Sequence, residues 1–262
     1  VTDDGGHELI TARERETWDR VGENWLHGFA FVNASCAPLL IEAAPIRSGM
    51  RVLDVGCGAG NITALLAATG ARVTGVDLAP AMVAAARKHF PRVEFLEANA
   101  EDLPFADGLF DAVTCCFVAH HFARPDVAFG EFVRVLQPDG RFVFAHPATM
   151  EFSVPFFLAV EAHHTLEDIT HGALFAAEDP ALWKSTIVGA GFAECNVEEL
   201  VMPYRTDSYD TLMECFRSFM PPLPEDTWSK IWSASLENAE SYRDGQEIVF
   251  NNRVLLGVAS KV

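Results

Sequence analysis

The sequence predicts an α/β fold, a doubly wound, mostly parallel sheet with helices on both faces. Three observations lead there. Short β-rich runs alternate with helical stretches between residues 50 and 145. The first of those runs ends in alternating glycines that open a helix. The second ends in an acid, Asp77. Sheets of this kind bind ligands beyond the carboxyl ends of their strands, where the strand order reverses, so the loops after the strands are the place to look for function.

The elements follow in order. Residues 7–22 and 24–44 read as helices, with Trp18, Val21, Trp25, Leu26 and Phe29 at a spacing near 3.6. Met50 to Val55 is the first strand. Residues 60–69 return to helical spacing and stop at Gly70. Arg72 to Val76 is the second strand, and 80–89 a helix with Pro80 in its first turn. Strands follow at 93–96 and 110–116, then a helix at 125–136. Gln137-Pro138-Asp139-Gly140 has turn chemistry and leads into a fifth strand at 141–145. Beyond residue 146 the rhythm changes: helices at 151–168 and 179–190, a strand at 193–202, helices near 207–219 and 225–242, and a last strand near 247–260. The segment near 206–243 is too long for a plain connection and reads as a helical lid. Its aromatics, with Phe152, Phe156 and Phe157, suit an apolar or aromatic small substrate, although side chains such as Phe216, Phe219, Trp228 and Trp232 are more often lid core than pocket.

Composition narrows the classes. The 262 residues are 50% hydrophobic and 21% charged, the balance of a globular protein. They read as one domain, 1–262, with a helical extension at 1–45, a ligand-binding core at 46–147 and a substrate-side half at 148–262. The formal charge of −18 argues against nucleic acid as a partner. No apolar run reaches the roughly 20 residues of a membrane span. Val1 to Arg20 is polar and lacks a signal-peptide pattern. The six cysteines, Cys36, Cys57, Cys115, Cys116, Cys195 and Cys215, form no CxxC pair and read as buried thiols of a cytoplasmic chain, a monomer or homodimer.

The strongest local signal is Val52-Leu53-Asp54-Val55-Gly56-Cys57-Gly58-Ala59-Gly60-Asn61. Glycine permits positive φ and close backbone approach, and the helix start presents unpaired N–H groups. Asp77, ending the next strand, can accept from both ribose hydroxyls of an adenosine. Gly56, Gly58 and Gly60 are spaced two and two, not two and three as a dinucleotide fingerprint requires. Asp54, two residues before the loop, suits a ligand with a sulfonium and an amino group better than a diphosphate.

With these residues the sequence resembles the class I S-adenosylmethionine-dependent methyltransferases, in the branch of ubiquinone- and menaquinone-biosynthesis-type enzymes. VLDVGCGAGNIT at 52–63, VTGVDLAPAMVAAARK at 73–88, FLEANAEDLPFADGLFDAVTCCFVAHHF at 95–122 and VLQPDGRFVFAHP at 135–147 carry the likeness. The resemblance implies a Rossmann-like, seven-stranded sheet whose last strand is antiparallel. The implied cofactor is S-adenosyl-L-methionine, released as S-adenosyl-L-homocysteine. Gly56, Cys57, Gly58 and Gly60 then lie against its methionine part, with Asp54 on the amino group or its water. Asp77 holds the ribose, and Leu78 and Met82 pack on the adenine. Ala100 presents its N–H to the ring, beside Asn99 and Glu101. Many relatives carry Asp at the position of Asn99, whose amide oxygen can still accept from the adenine amino group. Cys116 and Phe117 border the transferable methyl, and the helices bearing Trp18 and Trp25 close over the cofactor. The implied reaction is methyl transfer to O, N or C of a small molecule. A cofactor-binding protein of the same fold that does not methylate would carry the same motifs, and a methyltransferase acting on a basic protein tail would suit the charge.

Methyl transfer needs alignment and exclusion of water, and a base only when the acceptor arrives protonated. His121 and His146 follow the fourth and fifth strands and are the candidate bases; helix capping or rim packing explains them as well. His164, Asp168 and His171 share a helix face at i, i+4 and i+7, a spacing that could hold a divalent metal or line a substrate pocket but more often marks a solvated face. No metal is expected.

Overall fold

The structure, a computed structural model, describes residues 4–27, 30–164, 179–220 and 222–262. Five parallel strands form its centre: β1 (Arg51–Val55), β2 (Arg72–Asp77), β3 (Glu94–Glu97), β4 (Phe110–Cys116) and β5 (Leu136–Thr149). β6 (Glu194–Thr206), β7 (Arg243–Asp244) and β8 (Glu247–Ser260) complete an eight-stranded sheet. The order is β3-β2-β1-β4-β5-β8-β6, with β8 antiparallel to both neighbours and β7 paired to its start. The order reverses between β1 and β4, so a crevice opens at their carboxyl ends.

The two faces follow from strand alternation. Leu53, Val113, Phe142 and Phe144 point to one face and meet Phe129 and Phe132 of α6 (Pro125–Val135) and Trp183 and Ile187 of α8 (Pro180–Gly189). Val52, Ala112, Val143 and Ala145 point to the other and meet Leu40 of α3 (Ala37–Ala43) and Ile62 and Leu66 of α4 (Asn61–Ala67). β1 is buried from Val52 onward, as a central parallel strand must be. Each of these fully buried large side chains contributes about 1.5–3 kcal/mol.

The helices differ from expectation in two places. The stretch 24–44 is not one helix. It follows α1 (Asp4–Val21) and a 3-10 turn (Gly22–His27) as α2 (Ala30–Ala34) and α3, with Pro38 in the first turn of α3. A proline there supplies no N–H to a continuing helix and clashes with the preceding turn, so the chain breaks. The helix expected at 151–168 begins as a 3-10 turn (Glu151–Ser153) and continues as α7 (Val154–His163); residues 165–178 lie outside the described residues.

The strands differ as well. β5 starts at Leu136, which pairs with Phe110, and the expected turn is an irregularity inside it, with Asp139 at φ 62°. Its far end and the end of β6 run longer than expected because β8 pairs with both over their full reach. β7 is an addition, folded back on β8 at Gly245.

Between β6 and β7 stand α9 (Asp210–Phe219) and α10 (Glu225–Ala239). The lid aromatics turn inward. Phe156 stacks on Phe216 at 4.4 Å, and Phe152 and Trp228 join them in a cluster with Phe250 of β8. They are the lid's own core, and none of them is among the described residues that line the cleft at the glycine loop. The side chain of Phe219 lies outside the described residues.

Candidate functional site

The chain leaves β1 through the glycine loop, which is hung on β2: the N–H groups of Gly56 and Cys57 both donate to Val76 O, at 2.8 and 2.9 Å. Gly56 has φ +69°, and a Cβ there would run into the side chain of Val118, so the loop after β4 closes down on the loop after β1. Gly60 differs from its neighbours. It starts α4, and a Cβ on it would stand 2.8 Å from the Phe95 ring and 3.0 Å from that of Phe90. It is a packing glycine and, contrary to expectation, does not line the cleft.

Two carboxylates flank the loop. Asp54 is 2% exposed. Its Oδ2 accepts from Thr63 Oγ1 at 2.6 Å and its Oδ1 from Thr114 Oγ1 at 2.9 Å. Burial, outweighing those two bonds, pushes its pKa up to about 6. Asp77, at the tip of β2, accepts from Gly58 N at 2.8 Å through Oδ2 and from Ala79 N at 2.9 Å through Oδ1. Burial raises its pKa as well, and the backbone bonds oppose the shift.

The third side is the stretch after β3. Asn99 Oδ1 accepts from Glu101 N at 3.0 Å, which fixes the turn that carries Ala100. Glu101 in turn receives Arg124 N and Arg124 Nε, both at 2.8 Å, tying this turn to the loop after β4. Cys116 and Phe117 stand at the end of β4. Phe117 has φ 57°, an αL conformation that a non-glycine residue holds only under constraint.

The N-terminal helix makes the roof. Asp19 of α1 accepts from Ala81 N at 2.8 Å, at the start of α5 (Pro80–His89), and Lys88 on α5 pairs with Glu23 at 2.9 Å. Trp18 and Trp25 meet edge to face at 5.3 Å, and the Trp25 Nε1 sits 3.4 Å from where a Gly58 Cβ would be. Trp18 Nε1 donates to Glu14 Oε2 at 3.2 Å, and the same carboxylate oxygen lies 3.0 Å from His121 Nδ1. α4 is joined to the extension where Asn61 Nδ2 donates to Ala30 O at 2.9 Å.

Together these elements enclose a cleft of about 930 Å³, part of it open to solvent. Asp54, Gly56, Cys57, Gly58, Asp77, Leu78, Met82, Asn99, Ala100, Glu101, Cys116, Phe117, Trp18, Trp25 and His121 all line it. His146 does not. It is 2% exposed, its ring packs on Trp183 at 4.5 Å and His120 at 5.0 Å, and burial pushes its pKa down to about 3. It is a neutral core histidine, not a rim base. Sequence reasoning missed Thr11, Glu14, Asn33 and Asn61, which also line the cleft. The i, i+4 pairing of Glu14 with Trp18 was the available signal for one of them. Among the described residues no group of three or more His, Cys, Asp or Glu could hold a metal; Asp168 and His171 lie outside those residues. All six cysteines are buried thiols.

Among the described lining residues are four carboxylates, Glu14, Asp54, Asp77 and Glu101, and neither lysine nor arginine. Such a cleft repels a diphosphate and favours a ligand carrying positive charge.

Residues 53–144 match a family model described as a methyltransferase domain. The demethylmenaquinone methyltransferase of Thermus thermophilus is 44% identical over 123 residues, covering 45% of this chain and 52% of that protein. The uncharacterized methyltransferase YcgJ of Bacillus subtilis is 40% identical over 110 residues, 40% of this chain and 44% of its own. The crystal structure of YcgJ superposes with a TM-score of 0.58 at 26% identity, covering 87% of this chain and 98% of YcgJ. The [4+2]-cyclase SpnF shares the fold, with a TM-score of 0.51 at 22% identity over 87% of this chain and 82% of its own. The chain spans about half the length of the first curated relatives it matches. Residues 53–144 are a methyltransferase domain, set in the Rossmann-like fold of the class I S-adenosylmethionine-dependent methyltransferases. In sequence this domain is similar to the demethylmenaquinone methyltransferases.

Proposed function

We propose that the chain, residues 1–262 working as one domain, binds S-adenosyl-L-methionine in this cleft and transfers its methyl group to O, N or C of a small, apolar or aromatic molecule. The observation that carries the reading is the acid-lined cleft, without lysine or arginine among its described lining residues, with the Asp77 carboxylate fixed by two backbone N–H groups at the tip of β2. In that position Asp77 keeps a lone pair on each oxygen for the ribose hydroxyls. Asp54 supplies negative charge behind the glycine loop. Leu78 and Met82 offer apolar surface to the adenine, and Ala100 N–H offers a donor to it. The bound cofactor supplies a methyl on a positive sulfur, open to in-line displacement by the acceptor's lone pair as the carbon–sulfur pair returns to sulfur.

The chain's own part is alignment, exclusion of water and care of a proton. Trp18 and Trp25 shield the cleft from solvent. Glu14, beside His121 Nδ1, favours the tautomer whose Nε2 can take a proton from an O–H or N–H acceptor. The acidic surface supports a small molecule over nucleic acid as substrate, and buried thiols suit the cytoplasm.

Calorimetric titration tests the cofactor half. Folded wild type is expected to bind S-adenosyl-L-methionine and S-adenosyl-L-homocysteine, and Asp77→Ala to bind each about tenfold more weakly or worse, about 1.4 kcal/mol. Wild type that folds and binds neither would sink the reading. Because the same fold serves a [4+2]-cyclase, the second reading is a cofactor-binding protein that does not methylate. Release of S-adenosyl-L-homocysteine in a substrate screen separates the two.

A further inference from the structure

A second cavity, of about 390 Å³ with its opening to solvent included, shares Phe117 with the cleft. It lies where the end of β5 and the chain just past it, the last third of β6 and the middle of β8 meet, and Val32 of α2 borders it. Its walls are Val32, Phe117, Phe152, Met202 and Tyr204 among others, and no lining side chain among the described residues is charged.

Ser35, Thr149 and Tyr204 bring hydroxyls to this mostly apolar wall, and Asn252 brings an amide. Asn252 of β8 is 3% exposed. Its Oδ1 accepts from Phe152 N at 3.3 Å, which fixes the orientation of the amide. Its Nδ2 is buried and has no hydrogen-bond partner among the described residues. Buried polar side chains nearly always find partners, and a donor left without one in a cavity wall is suited to a ligand's acceptor. The shared residue, Phe117, is the one held in the αL conformation at the end of β4, and strain of that kind collects at ligand sites.

We propose that this cavity receives the methyl acceptor, and that it selects a neutral, apolar molecule carrying an oxygen that accepts a hydrogen bond from Asn252 Nδ2. The proposal rests on the reading of the adjoining cleft as the cofactor site. A phosphorylated or carboxylated acceptor would meet no cation in these walls, and an ammonium no carboxylate. Phe117, lining both spaces, divides acceptor from cofactor and sets where the two reacting atoms meet.

The test uses a matched pair of probes, 1-tetralone and its hydrocarbon counterpart tetralin, titrated into protein saturated with S-adenosyl-L-homocysteine. The ketone is expected to bind on the order of tenfold more tightly than the hydrocarbon. Two variants remove the donor. Asn252→Leu is nearly isosteric and Asn252→Val suits a strand; neither side chain carries a donor. Both are expected to erase the preference for the ketone while leaving the affinity for S-adenosyl-L-homocysteine at the wild-type level. Equal affinity for the two probes, a preference that survives in either variant, or no binding of either probe would overturn the proposal. Failure of the wild type to bind S-adenosyl-L-homocysteine would strike the cofactor reading instead, and the two probes titrated into the protein alone would still test Asn252.

Discussion

Gly257→Ala is expected to lower the stability of the protein by about 3 kcal/mol, the upper range for a forced small-to-large change in a packed core. Gly257 lies in β8 opposite Phe144 of β5 and Val197 of β6. The Phe144 ring lies across the glycine, and a Cβ would fall inside it. The ring has nowhere to withdraw. It is fully buried, stacked on Trp183 at 4.9 Å and on Phe142 at 5.6 Å. Either the ring leaves its stack or β8 shifts out of register with two neighbours at once. Urea denaturation reads the effect directly, as a lower midpoint at unchanged slope. A double-mutant cycle with Phe144→Leu assigns it, because the smaller side chain should return part of the loss. A loss under about 1 kcal/mol would show that β8 yields easily here and that the Phe144 contact is not what demands glycine.

The same position shows what the sequence could and could not disclose. Strands β1 and β4 and the middle of β5 announce themselves because each is a short apolar run, and a strand buried on both faces has to be one. Gly257 lies in a similar run, but its reason is an aromatic ring on another strand, invisible without the pairing. The glycine loop was legible as a unit, whereas its members were not separable. Gly56 and Gly58 line the cleft and Gly60 packs on Phe90 and Phe95. Spacing alone gives all three the same meaning. His121 and His146 likewise both read, from sequence, as following strands at the functional edge, although His146 lies within β5. The first faces Glu14 on α1, and the second is turned into the core against Trp183. That difference depends on where an N-terminal helix and α8 dock, which is long-range information. Asn252 gave no signal at all. A polar residue in a long strand reads as solvent-facing until β6 and β5 are seen on either side of β8.

Asp54→Asn is expected to separate stability from ligand binding. Asp54 has its pKa raised from 3.8 to about 6, first by burial, with the nearby charge of Asp77 adding to it against the two threonine bonds. Between those values the folded protein holds a proton that the unfolded chain has lost, so stability falls as pH rises from about 4 through 6 and levels off above. The loss is about 3 kcal/mol in all, at about 1.4 kcal/mol per pH unit. Asparagine removes it. Its amide accepts from one threonine and donates to the other, whose hydroxyl can turn toward Leu53 O, already 3.5 Å from Thr114 Oγ1. The ligand-free variant should therefore be more stable than wild type at pH 7.5, with the advantage shrinking toward pH 4.5. Cofactor affinity should move the other way. On the cofactor reading, the ionised carboxylate behind the glycine loop faces a cationic ligand, so wild-type affinity should weaken as pH falls through about 6, by up to tenfold per unit. The variant should start weaker at pH 7.5 and change less, keeping only the share contributed by Asp77, whose pKa is raised in the same direction. Urea melts at the two pH values and calorimetric titrations between pH 5.5 and 8 measure both limbs. A variant less stable than wild type at pH 7.5 would mean that the Thr63 and Thr114 bonds outweigh the desolvation of Asp54. A wild-type affinity independent of pH would mean that the cofactor's positive charge lies elsewhere in the cleft, toward Glu14 or Glu101.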